Sequence, residues 1–177
     1  MKEKKEALLV IDMQNVYLPG NSWCCKNIAT VIDYIKEIIK KFNKEDIFFT
    51  GFISSKNPSG RWKIYNDNYK QINENVYYNE IIDDLRCFIT KDNFYEKSTF
   101  SAIKNNDLYN KLKDYETVYI TGVVAECCVL STIFELIDSG IKVVYCKNGI
   151  AGINEKKEEC VIEILKDLVP IHVEIEK

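Results

Sequence analysis

Apolar and polar positions alternate along this chain in two periods. "EALLVID" (6–12) is a continuous apolar run closed by Asp, the pattern of a strand buried on both faces. Residues 27–43 then repeat apolar side chains at helical spacing, with Ile28, Val31, Ile32, Ile35, Ile38, Ile39 and Phe42 on one side and Lys and Glu between. "DIFFTGF" (46–52) predicts a second buried strand, "NFYEK" (93–97) a short one, and "TVYITG" (117–122) a fourth. "KVVYC" (142–146) and "IHVEI" (171–175) complete six. Short helices are expected over 79–85 and 107–114, and longer ones over 126–139, with Gly140 as its C-terminal cap, and 154–167.

Between the second and third strands, residues 53–79 are polar and aromatic without a clear period. A stretch of that length reads as a functional or covering loop. Strands alternating with helices predict an α/β fold: a three-layer α/β/α domain with a six-stranded, mainly parallel, Rossmann-like sheet. A single domain over 1–177 is expected. Ligands in such folds bind beyond the carboxyl ends of the strands, which directs attention to Asp12, Lys97 and the 123–128 turn.

Composition narrows the function classes. With a net charge of −3 there is no basic footprint for nucleic acid. No run approaches the roughly 20 apolar residues of a membrane span, and the start is too short in apolar residues for a signal-peptide core. A cytoplasmic protein without nucleic-acid or membrane partners is expected. Seven cysteines, an odd count with vicinal pairs at Cys24–Cys25 and Cys127–Cys128, do not fit a secreted disulfide framework. With no C-x-x-C spacing and a single histidine, His172, no metal site is grouped in the sequence and none is expected.

Cys128 falls where a strand turns into a helix, so unpaired backbone N–H groups would stabilise a thiolate and hold an oxyanion. Asp12 at one strand end would take the thiol proton and Lys97 at another would hold the ion pair. Spacing alone leaves this reading open beside a plainer one, a packed cysteine and ordinary charged strand ends. Cys127 reads as packing, Glu126 as a helix-start carboxylate, and His172 as a core or edge histidine.

Three segments sharpen the picture. "LLVIDMQNVYL" (8–18), "EKSTFSAIKNNDL" (96–108) and "YITGVVAECCVLST" (119–132) resemble, in that order, the aspartate, lysine and nucleophile signatures of the isochorismatase-like cysteine hydrolases. The resemblance implies Asp12 as general base, Lys97 as electrostatic partner and Cys128 as nucleophile. It also implies a cis peptide between Val123 and Val124, with the Val124 and Cys128 N–H groups forming the oxyanion hole. The reaction it implies is hydrolysis of a C–N bond in a small amide, carbamoyl or ureido substrate through a thioester, with no cofactor. A homo-oligomer, dimer or tetramer, is implied as well.

Departures from the family bear on the substrate. Nicotinamidases of the family bind a metal through Asp and His after the second strand, where this chain has "FFTGFISSKNPSGRW". Isochorismate hydrolases lack the cysteine. Both activities are therefore disfavoured. Val16, Ala125 and Asn148–Gly149 replace the usual Asp, Thr and Asp-Ala. Tyr17, Trp23 and Trp62 are candidates to contact the substrate, with Arg61 available for an anionic group. An inactive member that binds small molecules or partners, and redox sensing by the vicinal cysteines, are the competing readings.

Overall fold

The computed structural model describes residues 5–176; Met1–Lys4, part of the leading stretch weighed above as a signal peptide, and Lys177 lie outside the described residues. Six strands form one sheet: β1 (Glu6–Ile11), β2 (Ile47–Phe52), β3 (Phe94–Lys97), β4 (Thr117–Val123), β5 (Lys142–Ala151) and β6 (Val173–Ile175). Their order is β3-β2-β1-β4-β5-β6, and every pairing is parallel. The order reverses between β1 and β4, which are hydrogen-bonded neighbours. A crevice is expected there, beyond the strand ends.

Side-chain alternation on β1 explains why this strand is apolar throughout. Ala7, Leu9 and Ile11 enter one core, while Leu8 and Val10 enter the other. On the second side lies α1 (Ile28–Ile38), which buries Ile28, Val31, Ile32, Ile35 and Ile38. The helix is shorter than the 27–43 expected, because the chain tightens into a 3-10 turn at Ile39–Lys41 before β2.

The 53–79 segment departs from expectation. It is largely helical: α2 (Arg61–Asn68), α3 (Lys70–Asn73) and α4 (Val76–Asn79), followed by α5 (Asp83–Arg86). Among these helical residues only Asn73 and Leu85 are buried, so no apolar stripe faces the core to advertise them. The first core therefore takes its helices from further along the chain: α6 (Asn106–Leu112), α7 (Leu130–Asp138) and α8 (Glu155–Lys166). Leu108 and Leu112, Ile133 and Leu136, and Val161 and Leu165 anchor them there.

Gly140 ends α7 with φ +82°, as a left-handed C-terminal cap requires. Asn154 caps α8 by accepting from the Lys157 N–H at 3.0 Å. Strand β5 runs five residues beyond the predicted 142–146, because its pairing with β4 shifts register between Ile120 and Gly122 and then resumes at Ile150 and Ala151. His172 is exposed, next to the edge strand β6. All seven cysteines are free thiols. No helix of the described residues is long and apolar enough to cross a membrane.

Candidate active site

Asp12 directly follows β1 and is buried, with backbone φ +51° in the left-handed region. Such a conformation is uncommon for a non-glycine residue and often marks a functional site. The neighbouring strand holds it in place. The Asp12 N–H donates to the Thr50 carbonyl at 3.1 Å, and Thr50 Oγ1 donates to Asp12 Oδ1 at 2.8 Å.

The other carboxylate oxygen faces Lys97. Lys97 Nζ lies 2.6 Å from Asp12 Oδ2, and the side chains are only 1% and 0% exposed. The contact is a buried ion pair at hydrogen-bond distance. The same Nζ donates to the Thr99 carbonyl at 3.0 Å and reaches Cys128 Sγ at 3.4 Å. Burial works against the lysine's charge, yet Asp12 and Cys128 together hold the ammonium above the ordinary lysine range.

Cys128 lies in a wide π-type turn, Ala125–Val129, that joins β4 to α7. Such turns recur at functional sites. The peptide between Val123 and Val124 is cis. Thr132 Oγ1 donates to the Cys128 carbonyl at 2.7 Å and accepts from the Ala102 N–H at 3.0 Å. That pair of bonds ties the cysteine turn to the segment after Lys97. Ser101 strengthens the tie by donating to Glu135 Oε2 at 2.7 Å.

The resting thiol differs from the helix-stabilised thiolate expected above. Burial first, and the Asp12 charge second, push Cys128 well above the ordinary thiol range, and the opposing pull of Lys97 does not prevail. A second negative charge beside Asp12 is disfavoured in so dry a place.

Above the sulfur opens a cavity of about 390 Å³. Tyr17, Trp23, Phe52, Tyr65, Tyr69 and Phe100 line it, together with Cys127 and Val124. Of the residues expected to meet substrate, Tyr17 and Trp23 are therefore on the cavity. Trp62 is not. Its ring stacks edge-on against Tyr65 and Phe100, at 5.1 and 5.0 Å between centroids, and supports the wall from outside. Arg61 is exposed and also away from the lining.

Tyr65, Tyr69, Phe52 and Phe100 were missed from the sequence. Trp62, Tyr65 and Tyr69 do stand at i, i+3 and i+7, an aromatic spacing that is the one signal the sequence offers for Tyr65 and Tyr69. Cys127 borders the cavity rather than sitting in the core, and it is only partly buried. Glu126 stands in the first turn as expected, but its hydrogen bond comes from outside the helix: the Ile153 N–H donates to Oε1 at 3.4 Å.

Gln14 and Asn15, part of the first signature, build the cavity's support. Gln14 Nε2 donates to the Phe52 and Asn79 carbonyls at 3.0 and 2.9 Å, while its Oε1 accepts from the Phe52 N–H at 2.8 Å. Asn15 Nδ2 donates to the Tyr77 carbonyl at 3.0 Å.

The donors needed for a nicotinamidase-type metal site do not fit. After β2 the chain offers Ile53, Ser54, Ser55 and Lys56, and its one histidine lies beside β6. Among the described residues no cluster of three or more His, Cys, Asp or Glu side chains is placed to hold a metal.

Comparison with known proteins agrees with this architecture. Nicotinamidase 3 of Arabidopsis thaliana is 28% identical over 167 residues, covering 90% of this chain and 79% of the relative. The cysteine hydrolase of Pseudomonas syringae pv. phaseolicola superposes with a TM-score of 0.80 at 19% identity, over 97% of this chain and 87% of that one. The zinc complex of Pyrococcus horikoshii pyrazinamidase gives a TM-score of 0.78 at 23% identity, over 98% and 99% of the two chains. The isochorismatase domain model matches residues 6–174. The chain belongs to the isochorismatase family of hydrolases.

Proposed function

We propose that this protein is a cysteine-dependent amidohydrolase that cleaves the C–N bond of a small amide, carbamoyl or ureido compound. The observation that carries the reading is the buried contact of one ammonium with both partners, Lys97 Nζ at 2.6 Å from Asp12 Oδ2 and 3.4 Å from Cys128 Sγ, beneath an open cavity.

At rest Asp12 is the anion, Lys97 the cation, and Cys128 a thiol. Substrate binding brings a carbonyl carbon to Sγ. As the S–C bond forms, the thiol proton passes to Asp12 Oδ2, so charge moves along the ion pair without leaving the site. The carbonyl oxygen becomes an oxyanion held by the Val124 and Cys128 N–H groups. Collapse breaks the C–N bond, and the amine departs with the proton from Asp12. Asp12 then takes a proton from water as hydroxide attacks the thioester carbonyl. Collapse of this second intermediate releases the carboxylic acid, and the sulfur recovers its proton. The balance is amide plus water giving acid plus amine.

Incubation with a panel of primary amides and ureido compounds tests the reading, with ammonia release and intact-mass detection of an acyl adduct as readouts. Turnover abolished by Cys128→Ala, with the adduct mapped to Cys128 in the native protein, is expected. Ammonia release that survives Cys128→Ala would overturn it.

A further inference from the structure

We propose that the cavity selects substrates whose non-reacting part is a cationic ammonium group, held between the aromatic wall and the Glu126 carboxylate. The proposal rests on the hydrolase reading only in taking this cavity as the place where substrate sits. It names a substrate class for that site.

The wall is an unbroken arc of rings. Tyr17 contacts Trp23 at 6.1 Å between centroids, Trp23 contacts Tyr69 at 5.6 Å, Tyr69 contacts Tyr65 at 4.8 Å, and Tyr65 contacts Phe52 and Phe100 at 6.3 and 6.0 Å. Ring faces carry negative quadrupole charge and attract cations, most strongly where water is thin.

Glu126 lines the same cavity. Its Oε2 is buried and without a hydrogen-bond partner, its Oε1 has only the long bond from Ile153, and no lysine or arginine among the described residues pairs with it. Oε2 packs against Gly152, so the carboxylate brings its charge to the cavity edge with no cationic side chain among the described residues to balance it, and a cationic group on the ligand would offset that charge. Two other cations face the cavity region. Lys97 is committed to Asp12 and Cys128, and its charge is balanced there. Lys157 lines the rim, exposed and unpaired among the described residues, and it is the group that would instead receive an anionic substrate.

Binding to the Cys128→Ala protein, read by tryptophan fluorescence, tests this without turnover, because Trp23 is on the wall and Trp62 behind it. The probes are choline and its neutral isostere 3,3-dimethylbutan-1-ol, with butyrate as the anion. Choline is expected to bind about tenfold or more tightly than the neutral isostere. Glu126→Gln and, separately, Tyr69→Leu should each reduce that preference, while Lys157→Ala should leave it intact or raise it. Equal binding of the two isosteres, or preference for butyrate lost in Lys157→Ala, would overturn the proposal. Selective choline binding in a protein that hydrolyses no amide would leave the proposal standing and remove the hydrolase reading instead.

Discussion

A Cβ placed on Gly122 would lie 2.1 Å from the Ile11 carbonyl oxygen. Gly122 also has φ +105°, a region closed to side chains in practice. The two residues pair across β4 and β1, immediately before Asp12 and Val123. Close approach of these strand ends is thus a condition for assembling the site. Gly122→Ala should cost about 3 kcal/mol or more in urea unfolding. Gly140→Ala, where φ is +82° but the space is open, should cost only about 1–2 kcal/mol. Equal losses at the two positions would contradict the steric account.

Asp12 both raises the Cys128 thiol and, in the proposed reaction, receives its proton. These roles separate in Asp12→Asn. Without the carboxylate, Lys97 is the charged group left beside the sulfur, and alkylation of Cys128 at a given pH should become faster. Hydrolysis should nevertheless be abolished. Iodoacetamide labelling across pH 5–10 with peptide mapping reads the first effect, and amine release reads the second. An upward shift of the labelling profile would show that the thiol is not held up by Asp12.

The Asp12–Lys97 pair is fully buried, so removing one partner leaves the other charge in a dry site. Lys97→Met should destabilise the fold by about 3–5 kcal/mol. The double variant Asp12→Asn with Lys97→Met should recover part of that loss. A chemical-denaturation cycle measures the coupling, and additive losses would refute it.

Alkaline pH should weaken the fold through its buried thiols. Burial raises Cys25 to about 12 and pushes Cys146 and Cys128 up as well. The unfolded chain gives up these protons above about pH 8.5, while the folded protein keeps them. Stability is therefore full below that pH and is lost as pH rises, by about 1.4 kcal/mol per unit for each thiol, until the folded value is reached. Unfolding midpoints at pH 7.5, 8.5 and 9.5 should fall progressively, and Cys25→Ala should flatten the decline. An unchanged slope in that variant would exclude Cys25 as a contributor.

The sheet and its flanking helices were legible because β1, β2 and β4 are mostly apolar runs buried on both faces and α1 and α7 carry one-sided stripes. The strand ends then located Asp12, Lys97 and Cys128 together. The cavity wall was less legible for a physical reason. In α2 the rings of Trp62 and Tyr65 pack against other rings around a cleft rather than into the core, so the hydrophobic contrast that marks a helix is weak. The protonated state of Cys128 was not legible at all, since it depends on the distance to Asp12 and on dryness, and neither is written in spacing.

Gln14 sits two residues beyond the candidate base and clasps both the end of β2 and the Asn79 carbonyl. One amide thus makes the Phe52 side of the cleft and the end of α4 share a frame of reference. The long excursion between β2 and β3 borrows its rigidity from the sheet through that joint. Ring identities on α2 and at Tyr69 can therefore change, and with them the shape of what is admitted, while the distance between carboxylate and sulfur stays as the strands set it.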